Sequence, residues 1–168
     1  MQSLDIRIYT MKQLYENSFE IASAFDDCYI IYSFGGGKEI ISGIDVINRR
    51  SLQMLQESFS IYEKALNDND INVMNKLFYN NDFVVRYGST ENLYGYTEIV
   101  NFRYKRNPAT VSRVLCRNSV ILLQDDIAII NSEFVRGSIN GRQTQVWHLF
   151  TDGWKIITAH ISTLNVQD

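Results

Sequence analysis

Arg142-Gln143-Thr144-Gln145-Val146-Trp147-His148-Leu149-Phe150-Thr151-Asp152-Gly153-Trp154-Lys155-Ile156-Ile157-Thr158-Ala159-His160-Ile161-Ser162 is the stretch that decides the fold. Two runs rich in β-branched and aromatic residues flank Thr151-Asp152-Gly153, and so short a connection joins antiparallel neighbours. The spacing predicts strands at about 142–151 and 154–164, preceded by two more at about 110–123 and 126–137. Asp125-Asp126 and Ser138-Ile139-Asn140-Gly141 are read as the other turns. Before Pro108, the only proline, the apolar period is 3.6 rather than 2. Helices first and four strands after describe an α+β domain, with helices packed on one face of a curved antiparallel sheet. Such a sheet wrapped over a helix leaves a conical pocket lined by inward-pointing residues of every strand.

Working outward, Leu55, Phe59, Tyr62 and Leu66 recur at helical spacing, which puts Tyr62 on the inward stripe. Arg49, Arg50, Glu57 and Lys64 fall on the opposite side. Asn67-Asp68-Asn69 ends this helix, and Asp70 is the N-cap of a short second one that turns Val73, Met74, Leu77 and Phe78 to the core. A third helix begins near Tyr96, with Thr97 as N-cap and Ile99, Val100 and Phe102 as core contacts. Arg103, Lys105 and Arg106 fall in its last turn, where cations suit the helix dipole.

Residues 1–44 read as an N-terminal extension, weakly ordered or docked on the main domain, which runs from 45 to 168. Cys28 to Phe34 is a short strand or a helix end, stopped by Gly35-Gly36-Gly37. The triplet lacks the spacing of a phosphate loop. The 168 residues are 45% hydrophobic and 21% charged, as in a soluble globular protein. A net charge of −3 and the absence of any basic run argue against nucleic acid. The longest apolar run is too short for a membrane span, and the start of the chain lacks the order of a signal peptide, so the expectation is a cytoplasmic protein. Cys28 and Cys116 sit among apolar neighbours and are read as reduced, buried thiols.

Val84-Val85-Arg86-Tyr87-Gly88-Ser89-Thr90-Glu91-Asn92-Leu93-Tyr94-Gly95 starts as a strand and breaks into a glycine-punctuated loop. A guanidinium in that apolar strand is costly to bury without an anion. The partner of Arg86 is either a protein carboxylate, Glu91 being the nearest in sequence, or the carboxylate of a ligand. In strict alternation, Trp154, Ile156, Thr158, His160 and Ser162 share one face of the last strand. That polar face is read as pocket wall, and the Lys155, Ile157, Ala159, Ile161 face as covered by a second subunit. Gln143, Gln145 and Trp147 supply amide donors and an aromatic platform from the preceding strand. His148 is read as a surface residue.

Taken together, Tyr62-Glu63, Val85-Arg86-Tyr87-Gly88, Glu91-Asn92-Leu93-Tyr94-Gly95, Gly141 to Trp147, Gly153-Trp154-Lys155-Ile156 and Ala159 to Ser162 make the chain from about residue 46 resemble the AtzH-like family, a branch of the SnoaL-like, NTF2-like superfamily. The resemblance implies a cone-shaped α+β fold, a homodimer formed through the sheet, and no cofactor. It also implies catalysis by a helix tyrosine and a strand arginine, which match Tyr62 and Arg86. The best-understood member is a decarboxylating amidohydrolase acting on 1,3-dicarboxyurea in s-triazine breakdown; relatives are encoded near oxalurate-catabolism genes, and some are fused to amidases. The expectation is a hydrolase of that kind, with Arg86 clamping a substrate carboxylate, Tyr62 assisting proton transfer, and Gln145, Trp147, His160, Ser162 and Glu91 contacting substrate. The alternative is a non-catalytic module that binds a small acid or accompanies an amidase partner.

Overall fold

The spacing of Leu55, Phe59 and Tyr62 is realised in a 20-residue helix, α1 (Arg49–Asp68), whose inner face buries all three. The structure is a computed structural model and describes residues 28–34, 38–42, 49–123 and 125–164. Asn69 takes a positive φ of 55°, which ends α1 in the left-handed conformation that asparagine tolerates. Asp70 then caps α2 (Ile71–Lys76) by accepting the Val73 N–H at 3.0 Å. This helix stops before Asn80-Asn81, because Phe78 leaves it to bridge Ile156 of the sheet. The third helix, α3 (Tyr96–Lys105), is capped by Gly95 rather than by Thr97. Gly95 adopts a φ of 79°, which a side chain would resist, and Glu98 reaches back to accept the Tyr94 N–H at 2.8 Å.

The strands are β1 (Cys28–Phe34), β2 (Lys38–Ser42), β3 (Val85–Tyr87), β4 (Asn92–Tyr94), β5 (Val114–Leu123), β6 (Ile127–Arg136), β7 (Ile139–Phe150) and β8 (Gly153–Leu164). They form one sheet in the order β2-β1-β5-β6-β7-β8-β3-β4, antiparallel throughout except where β3 runs parallel to β8. The stretch from Cys28 to Phe34 is thus a strand, and with β2 it extends the sheet beside β5. The glycine triplet at 35–37 and residues 1–27 lie outside the described residues. Between β6 and β7 the turn is Gly137-Ser138, tighter than the sequence spacing predicts, because Gly137 supplies the positive φ and frees Ile139 to Gly141 for pairing. No helix among the described residues is long and apolar enough to cross a membrane.

Bulges overturn two expectations. Gln145 pairs with Ala159 and Trp147 with Ile156, so Ile157 is an extra residue on β8 and the alternation reverses there. Trp154 and Ile156 point inward as predicted, but beyond the bulge the inner face continues through Ala159 and Ile161, packed with the core. His160 and Ser162 therefore share the outer face with their partners Thr144 and Arg142, and His160 is exposed against the Tyr87 ring. Of the face expected to meet a second subunit, Ala159 and Ile161 join the core instead. Likewise Cys116 is the extra residue where β5 shifts register against β6, and its thiol is exposed rather than buried.

Candidate functional site

Five inward-facing residues define the floor of the cone. Tyr62 projects from α1, 3% exposed, with its ring edge-on to Trp147 and tilted against Phe78, both at 6.1 Å between centroids. From β7 come Gln143, Gln145 and Trp147, all buried as the alternation predicts. Trp147 donates its indole N–H to Gln145 Oε1 at 3.1 Å, which fixes that amide and leaves Gln145 Nε2 as a buried donor with no partner. Gln143 Oε1 accepts from Arg113 at 2.9 Å, and its Nε2 is likewise unpartnered.

Arg86 has a protein counter-ion. Its Nη1 donates to Glu91 Oε1 within a half-buried ion pair, and Thr90 donates its hydroxyl to the other Glu91 oxygen at 2.8 Å. Burial works against the charged form of Glu91, but the hydrogen bonds from Arg86 and Thr90 outweigh it and hold the carboxyl below its ordinary range. Gly88 makes the fold-back feasible, since a Cβ there would lie 1.9 Å from the Glu91 carboxylate. The reading of Arg86 as a cation left free for a ligand is therefore corrected. Glu91, read as a substrate contact, braces Arg86.

The uncompensated charge lies on α3. Ile99 is fully buried; Arg103, four residues on, shares its face, and Arg106 follows as the C-cap. Sequence places both at the helix end as cations that suit the dipole, and the buried face that Arg103 shares with Ile99 is the signal for a further role. Arg103 is 3% exposed, lies 4.4 Å over the Phe78 ring and donates Nη1 to Asn75 Oδ1 at 2.7 Å. Its Nη2 has no hydrogen-bond partner. Arg106 is half-buried with Nε unpartnered. Burial first, and then the charge of Arg86, lowers the pKa of both; the Tyr62 phenol acts in the opposite direction on each. Farther along, Arg136 is lowered by burial and then by Arg113 and Arg106. Arg113 itself is buried and fully engaged: Nε and Nη2 meet Glu63, Nη1 meets Gln143.

Among the described residues the cluster links five guanidinium groups to two carboxylates, in a chain whose net charge is −3. Of the predicted residues, Tyr62, Trp147 and Gln145 form one contact group, Arg86 and Glu91 pair beside Phe102 of α3, and His160 and Ser162 lie on the other side of the sheet. A groove of about 350 Å³ bordered by Arg117, Glu133 and Arg142 also lies on that outer side.

No curated protein matches the chain. Among solved structures it is similar to a protein of unknown function from Pectobacterium atrosepticum, at 38% identity over 69% of this chain and 92% of that one, with a TM-score of 0.67. A cystatin-like fold protein from Burkholderia xenovorans is 35% identical over 71% of this chain and 96% of that one, with a TM-score of 0.68. An NTF2-like superfamily protein from Salmonella enterica shares the fold at 20% identity, over 73% and 96% of the two chains, with a TM-score of 0.59. The family whose sequence model matches, over residues 36–167, is described as AtzH-like.

Proposed function

The chain belongs to the AtzH-like family, and on that footing we propose that it is a small-molecule decarboxylating amidohydrolase acting on a carboxylated urea or a related amide. The observation that carries the reading is that Arg103 and Arg106, the two cations on which the Tyr62 phenol acts, have no carboxylate of the described residues within ion-pair distance. Buried cations that the protein leaves uncompensated are costly, and an anionic substrate removes that cost by entering. The neutral end of such a substrate meets Gln145 Nε2, a preorganised donor aimed at an oxygen where charge develops.

The chemistry asks little beyond placement and one proton. As the bond between nitrogen and the carboxylate carbon breaks, its electron pair stays on nitrogen, carbon dioxide leaves, and nitrogen takes a proton. Tyr62, whose phenol acts on both Arg103 and Arg106, relays that proton or donates to the carbonyl oxygen. Arg86, ion-paired to Glu91, contributes to the field in which the carboxylate is held.

The test is to incubate the protein with 1,3-dicarboxyurea and follow release of carbon dioxide and formation of the mono-carboxylated urea, with Tyr62→Phe as the comparison. Loss of the donor should lower kcat about a hundredfold, corresponding to ~3 kcal/mol of transition-state stabilisation. Wild-type turnover matched by Tyr62→Phe would remove the phenol from the mechanism. Binding without any turnover would leave the chain as a small-acid-binding module.

A further inference from the structure

Arg86, Arg103 and Arg106 act on one another through their charges, but they are not equivalent. Arg86 is satisfied by Glu91, and the Gly88–Glu91 loop is shaped for that contact, with a glycine where any side chain would strike the carboxylate. Arg103 and Arg106 have no carboxylate of the described residues within ion-pair distance. Each presents one unpartnered nitrogen, Nη2 of Arg103 and Nε of Arg106. Arg103 lies in the last turn of α3, and Arg106, three residues on, is its C-cap, with extended backbone and its N–H bonded to the Phe102 carbonyl. Arg103 is held in place by stacking on Phe78 and by Asn75, which fixes the orientation of its free edge. Guanidinium groups stay charged at any working pH, so the protein cannot relieve the repulsion between a buried and a half-buried cation by releasing a proton. Only an anion relieves it.

We propose that Arg103 and Arg106, through Nη2 and Nε, are the carboxylate-binding pair of this site, and that Arg86, fixed by Glu91, is a positioning residue. The assignment rests on the functional reading above and refines which cations meet the substrate. It changes the expected pattern of mutational effects, because the strand arginine then governs the rate and the helix arginines govern affinity.

The experiment is calorimetric titration of the full chain with malonate, with malonamide as the uncharged control, alongside turnover kinetics on the carboxylated urea. Arg106→Gln should weaken malonate at least tenfold and flatten the dependence of affinity on ionic strength. Arg103→Lys keeps the charge, loses the planar fork, and should weaken malonate several-fold with an unchanged thermal midpoint. The double variant Arg86→Gln/Glu91→Gln removes both charges of the ion pair; it should change malonate affinity less than threefold while lowering kcat at a nearly constant KM. Wild-type binding of malonate with no preference over malonamide would overturn the proposal. So would normal binding by Arg106→Gln and Arg103→Lys together with loss of binding in the double variant. If binding follows the helix arginines but no carbon dioxide is released, the functional reading fails and the carboxylate pair stands. If turnover proceeds with KM unchanged in both helix variants, the functional reading stands and the pair fails.

Discussion

Arg113 and Arg103 enter the same cone and meet opposite treatment. Both are buried, and both stack on a phenylalanine, Phe134 at 4.7 Å and Phe78 at 4.4 Å. Arg113 has each side-chain nitrogen engaged, two by Glu63 and one by Gln143, and its backbone is clasped by Asn67. Arg103 has only neutral partners, Asn75 and the Tyr62 hydroxyl, no carboxylate of the described residues within ion-pair distance, and another cation at its side. A fold that can complete one buried charge so fully, and leaves a second unfinished beside a phenol, marks the second for something that comes from outside. That contrast separates architecture from function more sharply than burial does.

The largest effect should come from breaking the completed pair. Glu63→Gln strands the Arg113 charge in the core, which typically costs about 3–5 kcal/mol. In a chain of this size that corresponds to a fall in thermal midpoint on the order of 10 °C, readable by calorimetry. The matching change on the unfinished side should behave differently. Arg103→Met keeps contact with Phe78 and removes an uncompensated charge, so stability should move by no more than about 1 kcal/mol in either direction. Malonate binding should be lost in the same variant. A fall as deep as that of Glu63→Gln would show that Arg103 is a structural cation and would erase the contrast.

How far the sequence anticipates this is visible residue by residue. Tyr62 was legible because helical spacing alone puts it on the stripe of Leu55 and Phe59. Gln143, Gln145 and Trp147 were legible because β7 alternates without interruption through them. His160 and Ser162 were misplaced because one bulge at Ile157 reverses every face beyond it, and no local signal announces a bulge in a run of β-branched residues. Arg103 and Arg106 were passed over for another reason. A cation in a last turn already has a sufficient explanation in the helix dipole, and that explanation concealed the position of Arg103 on the Ile99 face. The partner of Arg86 was open between two choices in the sequence, and only geometry could decide it, since Glu91 must fold back over Gly88 to arrive.

The smallest effect concerns that fold-back, and its sign follows from Glu91. Its carboxyl titrates below the ordinary value of 4.5 in the folded chain, so the folded state favours the ionised form. Stability from the ion pair is then fully present above the unfolded-state value and is lost as pH falls from about 4.5 through the lower folded-state value. The pair is partly open to solvent, which keeps its worth modest. Glu91→Gln removes the titrating group, so its unfolding free energy should fall less steeply than wild type across this acid window. Near neutral pH the two proteins should differ by about 1 kcal/mol at most. Denaturant midpoints at several pH values between 3 and 7 would read this out. Parallel curves would mean that Glu91 leaves Arg86 in solution, and Arg86 would then join Arg103 and Arg106 among the cations that await an anion.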